Sequence, residues 1–94
     1  MDNIFSSMFG IFANLFNKPD RIARDTVGEY TISTMFTVDQ GYETAVWKGN
    51  GEIVIVSRYD TKEEAETGHA VWQSVCELNP KRLWSVQFEE FINL

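Results

Sequence analysis

Between Glu29 and Tyr59 lie three stretches rich in β-branched and aromatic residues, EYTISTMFT, YETAVWK and EIVIVSRY, separated only by VDQG and GNG. Turns that short fold each stretch back on the one before, so the segment predicts an antiparallel meander with strands over 29–37, 42–48 and 52–59. Gly49 and Gly51 tolerate the positive φ that a tight hairpin requires. Tyr30, Ile32, Thr34 and Phe36 fall on one side of the first strand. The unbroken Ile53-Val54-Ile55-Val56 run predicts burial on both faces, and with it a central place for the third strand.

The next residues carry a helix start signal. Asp60 and Thr61 are capping residues, and Glu64 stands three after Thr61 as in a capping box, with Glu63 and Glu64 favourably placed in the first turn. Ala65, His69, Trp72 and Cys76 then recur at steps of four, three and four, which predicts an inward stripe edged by Val71, Val75 and Leu78. Asn79-Pro80 ends the helix. The tail, KRLWSVQFEEFINL, is ambiguous, because Trp84, Val86 and Phe88 alternate as in a strand while Trp84, Phe88, Phe91 and Ile92 also fit a helix. A strand over 83–88 is the favoured reading.

At the other end, Ile4, Phe5, Met8, Phe9, Ile11, Phe12, Leu15 and Phe16 recur at steps of three and four, predicting an amphipathic helical arm over 1–17. PDRIARDTVG mixes charge with turn formers and reads as a linker over 18–28. The body is then a single α+β domain over 29–94: a small antiparallel sheet of three to four strands with one packed helix.

Bulk composition narrows the function classes. Fourteen acids against eight bases give a net charge of −6, which repels a phosphate backbone and an anionic bilayer, so nucleic acid and membrane are not the expected partners. The single cysteine, Cys76, forms no internal disulfide and supplies no Cys-plus-His zinc set; a reducing compartment fits. The apolar start opens with an acid and has no small-residue cleavage site before Lys18, which argues against a signal peptide.

Candidate chemistry is sparse. His69 could serve as a general base with Glu66 three residues earlier, but a lone histidine in an apolar stripe is more often packed or hydrogen-bonded. Cys76 reads as a small buried hydrophobe whose thiolate burial disfavours. Gly49-Asn50-Gly51 is hairpin chemistry, with no helix following as a phosphate loop needs. Asp60, Glu63, Glu64 and Glu66 lack the alternation and central glycine of a calcium loop, and capping explains them. No catalytic, metal or cofactor site is expected. The surplus feature is aromatic: Phe5, Met8, Phe9, Phe12 and Phe16 either cover the chain's own sheet or dock into a partner groove.

From Tyr42 to Trp72 the chain has Tyr42-Glu43-Thr44, then Arg58-Tyr59-Asp60-Thr61, then Glu63-Glu64-Ala65 with Gly68-His69 and Trp72. This pattern resembles a family of short proteins common in tailed bacteriophages and prophages. It covers about a third of the chain and contains no motif with a known reaction. The resemblance implies viral origin; the arm of residues 1–17 lies outside the matched part. Taken with the aromatic surplus and the lack of a reactive centre, the expectation is a non-enzymatic protein-binding module in the virion or host cytoplasm, most concretely a minor virion or capsid-associated component. Its partner would be a viral structural protein, with Phe5, Met8, Phe9, Phe12 and Phe16 as the contacts; homo-oligomerisation is left open. The alternative is a soluble effector that binds and inhibits a host protein, a defence or transcription factor, to which an acidic chain would be steered.

Overall fold

A computed structural model describes residues 20–94. The arm over 1–17, with Phe5, Met8, Phe9, Phe12 and Phe16, lies outside the described residues. The elements run β1 (Asp20–Val27), β2 (Tyr30–Thr37), β3 (Gly41–Lys48), β4 (Val54–Tyr59), α1 (Lys62–Cys76), β5 (Arg82–Ser85) and β6 (Glu90–Asn93). β1 to β4 form one antiparallel sheet in sequential order, and β5 pairs with β6 in a second. The small α+β architecture with one packed helix is as the sequence predicts.

β1 occupies residues expected to be linker. Val27 pairs with Tyr30 across a two-residue loop, with Gly28 at φ 59. Glycine in the first loop position gives a turn whose twist matches that of the flanking strands. The register slips between Arg21 and Ala23, and the strand carries Asp20, Arg21, Arg24 and Asp25. A bulge and charges are how an exposed sheet edge is kept from pairing further. The third turn of the sheet, between β3 and β4, is tied to the first, because Gly49 N–H donates to the Glu29 carbonyl at 2.9 Å.

β4 corrects the expected central strand: it is the last strand of its sheet. Its apolar run is nevertheless buried, with Val54, Ile55 and Val56 all under 7% exposed. Two features produce this. Ala45 pairs with Ile55 and Thr44 with Ser57, which leaves Val56 as the extra residue of a bulge. Beyond β4, the Val86 N–H donates to the Ile55 carbonyl at 2.9 Å, so the C-terminal hairpin covers the edge.

α1 lies across the sheet. Its capping box is present: the Glu64 N–H donates to the Thr61 side chain, and the Glu64 carboxylate accepts from the Thr61 N–H. Ala65, His69 and Cys76 are buried and Trp72 is half-buried, but Val71 and Leu78, expected at the buried edge, are exposed. Val71 stands two residues, about 200°, from His69 on the helix, and Leu78 lies past its end. The apolar core joins Tyr30, Ile32, Val46, Val54, Val56, Cys76 and Leu83. The Tyr30 hydroxyl closes one end of it by donating to the Pro80 carbonyl.

The tail is neither the continuous strand over 83–88 nor a helix. The chain turns after Ser85, whose hydroxyl accepts from Phe88 N–H at 3.0 Å and whose carbonyl accepts from Glu89 N–H at 2.8 Å. Glu89 takes φ 57 to complete the reversal. In the resulting hairpin Leu83 and Ser85 face inward, while Trp84 and Phe91, paired across the strands, face out.

Candidate functional site

β1 and β2 are offset so that Asp25 and Thr34 fall on the sheet face that carries α1, and Thr34 stands opposite Thr44 of β3. His69 comes down onto them from the helix. The His69 Nε2 lies 2.8 Å from the Asp25 carboxylate and its Nδ1 lies 2.7 Å from the Thr34 hydroxyl. The row continues from Thr34 to the Thr44 hydroxyl at 2.6 Å and from Thr44 to the Tyr59 hydroxyl at 3.1 Å. Five side chains from β1, α1, β2, β3 and β4 thus form one unbroken line.

Donor bookkeeping gives the line a direction. A carboxylate only accepts, so His69 Nε2–H donates to Asp25. In the neutral ring Nδ1 is then an acceptor, which takes the Thr34 hydroxyl proton. Thr34 in turn accepts from Thr44, and Thr44 from Tyr59. The two threonine hydroxyls each donate once and accept once, and Tyr59 donates at the end of the row. Among the described residues no buried side-chain nitrogen or oxygen is left without a partner, the condition under which a buried polar row strengthens a fold rather than weakening it.

An acid, an imidazole and a hydroxyl in line are also the parts of a nucleophilic relay. Access decides against that use. Thr34 and Thr44 are 0% exposed, and no approach to the Thr34 hydroxyl is open to a substrate atom. Only the outer ends reach solvent, Asp25 with its side chain 47% exposed and Tyr59 in part. Glu66, the partner considered for His69, is exposed on the helix while Asp25 takes that role.

The other quoted motif residues serve the same body. Glu43, buried on the opposite sheet face, accepts from Arg58 at 2.7 Å. Burial pushes its carboxyl above the ordinary range, and the Arg58 guanidinium pulls it partly back. Trp72 Nε1–H donates to the Ser57 hydroxyl at 2.9 Å. The Tyr59 ring lies against Gly68, where a β-carbon would overlap its hydroxyl and ring atoms. Glycine is required there by contact, since the position is ordinary helix. Cys76 is buried in the apolar core, which raises its thiol.

A second set of side chains stands on the surface of the C-terminal hairpin. Trp84 and Phe91 meet edge to face with centroids 5.0 Å apart, and the Arg82 guanidinium covers the Phe91 ring at 4.1 Å. Trp84 remains 45% and Phe91 51% exposed. Periodicity hides this cluster, since an outward-facing strand pair reads like an apolar stripe; the alternation of Leu83 and Ser85 with Arg82 and Trp84 is its one sequence signal. Asp25 and Thr34 are hidden from the sequence for a different reason. They join His69 across 44 and 35 residues, beyond any local pattern.

Among the described residues no group of three or more His, Cys, Asp or Glu side chains is arranged to hold a metal ion. Nor is any helix among them long and apolar enough to cross a membrane. Comparison with protein-family models, curated proteins and solved structures returns no match.

Proposed function

We propose that this chain is a non-enzymatic protein-binding module and, on its resemblance to short phage and prophage proteins, a minor virion or capsid-associated component. One contrast carries the reading. The side chains able to do chemistry are consumed in holding the body together, with both His69 nitrogens engaged and Cys76 buried, while large aromatic groups stay on the surface at Trp84 and Phe91. Exposed aromatics flanking an arginine are the composition of an interface core. The phenylalanines of the N-terminal arm, with Met8, add further apolar contacts in this reading.

Net charge favours a second reading, a soluble effector drawn to a basic face of a host protein. Mass spectrometry of purified virions separates the two. Stoichiometric presence in the particle supports the component; absence, with a single host protein retained by the full chain, supports the effector. An activity abolished by His69→Gln in a folded protein would overturn both.

A further inference from the structure

The four-stranded sheet has two faces, and α1 covers one of them. Side chains alternate along a strand, so Ser33, Met35, Glu43, Ala45 and Trp47 point away from the face on which His69 meets Thr34 and Thr34 meets Thr44. Register adds Ile55, opposite Ala45, and two arginines on the outer strands, Arg24 opposite Ser33 and Arg58 opposite Glu43. The C-terminal hairpin does not cover this second face, because Leu83 and Ile92 join the core of Ile32 and Val46 on the side of α1. No described element lies there. Yet Ser33, Glu43, Ala45 and Ile55 are at most 6% exposed. Met35 and Trp47, the bulky neighbours able to shelter them, are half-buried, whereas side chains that screen a bare face are themselves wet. An antiparallel sheet with one face in water alternates apolar and polar residues; Ala45-Val46-Trp47 and Val54-Ile55 are apolar in both phases.

We infer that residues 1–17 of the same chain seat on this second face, with the stripe of Phe5, Phe9, Phe12 and Phe16 turned onto Met35, Ala45, Trp47 and Ile55. The inference goes beyond the protein-binding reading and stands without it. Position and length select this occupant. Lys18 and Pro19 alone separate the arm from Asp20, which opens β1 at the edge of the sheet, so the near end of the arm is held within about 10 Å of the sheet. A helix over 1–17 would be about 25 Å long, close to the span of an eight-residue strand such as β2 or β3 at about 3.3 Å per residue. Chemistry agrees with length. Asp2 is the one charged side chain of the arm, and the face is apolar in its middle, with arginines on the outer strands. A partner that takes the arm's phenylalanines must then lift the arm from the sheet first.

Thermal unfolding of the full chain tests the seat. A phenylalanine buried on the sheet belongs to the cooperative core, so Phe9→Ser and Phe12→Ser should each lower melting by about 10 °C; an arm carried in solvent would leave melting unchanged. Peroxide oxidation of Met35, read by mass spectrometry, identifies the face. In the Phe9→Ser, Phe12→Ser double variant Met35 should oxidise faster than in the parent, while Cys76, in the core under α1, stays closed to thiol reagents. That pairing separates release of the arm from opening of the whole domain, and the single variants carry the same comparison if the double opens Cys76. Protection of Met35 in the parent should hold across a dilution series. Unchanged melting overturns the seat and leaves the protein-binding reading standing on Trp84 and Phe91. Lowered melting with unchanged Met35 oxidation puts the arm elsewhere and overturns this face. Protection lost on dilution makes the occupant the arm of a second copy and overturns the contact within one chain.

Discussion

Replacing Thr34 by valine keeps the shape of the side chain and removes only its hydroxyl, the third link in the row from Asp25 to Tyr59. Two bonds vanish, one of 2.7 Å to His69 Nδ1 and one of 2.6 Å to Thr44. The two partners then fare differently. Thr44 keeps the Tyr59 hydroxyl, whereas Nδ1 faces an apolar methyl with no water to replace what it lost. The stranded Nδ1 acceptor costs about 1–3 kcal/mol and the lost bond to Thr44 about 1 kcal/mol, so Thr34→Val should destabilise the fold by about 3 kcal/mol. For a chain of this size that is a large share of the total stability, and melting should fall by about 12–24 °C. Thr44→Val should cost about 1–2 kcal/mol, because Tyr59 is partly exposed and water can satisfy its hydroxyl. The double substitution should cost at least about 1 kcal/mol less than the sum, since the Thr34–Thr44 bond is counted in both singles. Urea denaturation followed by tryptophan fluorescence measures all three. A Thr34→Val loss within about 0.5 kcal/mol of zero, or strict additivity, would show that the row carries no cooperative weight.

Three further outcomes follow from other contacts. Gly68→Ala should destabilise by about 1–3 kcal/mol although alanine is the better helix former by about 1 kcal/mol, because its methyl meets the Tyr59 ring; in a Tyr59→Ala background the same change should turn stabilising, and thermal unfolding of the four proteins reads the reversal. Burial holds the Glu43 carboxyl above its ordinary value of 4.5, so the folded form binds a proton more readily than the unfolded one; its contribution is fully present below 4.5 and is lost as pH rises through the raised value. Glu43→Gln, which resembles the protonated acid, should therefore match the parent in acid and exceed it in stability near neutrality, and denaturation across pH that shows the opposite slope would refute the assignment. Cys76, buried with its thiol raised, should react with an aromatic disulfide reagent only as fast as the domain opens, and a burst of labelling in the native protein would contradict its placement.

The meander of β2, β3 and β4, the helix and its capping box are legible because each is signalled within a few residues: Gly49 and Gly51 at a turn, Thr61 and Glu64 at a helix start. β1 was hidden because an edge strand advertises charge instead of apolar alternation, and Arg24 and Asp25 look like a linker until Asp25 is seen beneath His69. The double-sided burial of Val54, Ile55 and Val56 is legible in the apolar run and its cause is not, since a bulge and a covering hairpin achieve what a central position would. His69 was placed on the inner stripe by spacing alone. Its partners were not legible, because register between distant strands decides them. The tail stayed ambiguous because the reversal hinges on the hydroxyl of one serine, Ser85, and on a glutamate in a left-handed conformation.

The five-membered line from Asp25 to Tyr59 also binds distant letters of the sequence to one another. Every member between the two ends must give in one sense and receive in the other, so an exchange at position 59 alters what is tolerable at 44, and through it at 34, 69 and 25. Among descendants of this chain these positions should drift in concert: a phenylalanine at 59 accompanied by change at 44, and a lost imidazole accompanied by loss of the acid at 25.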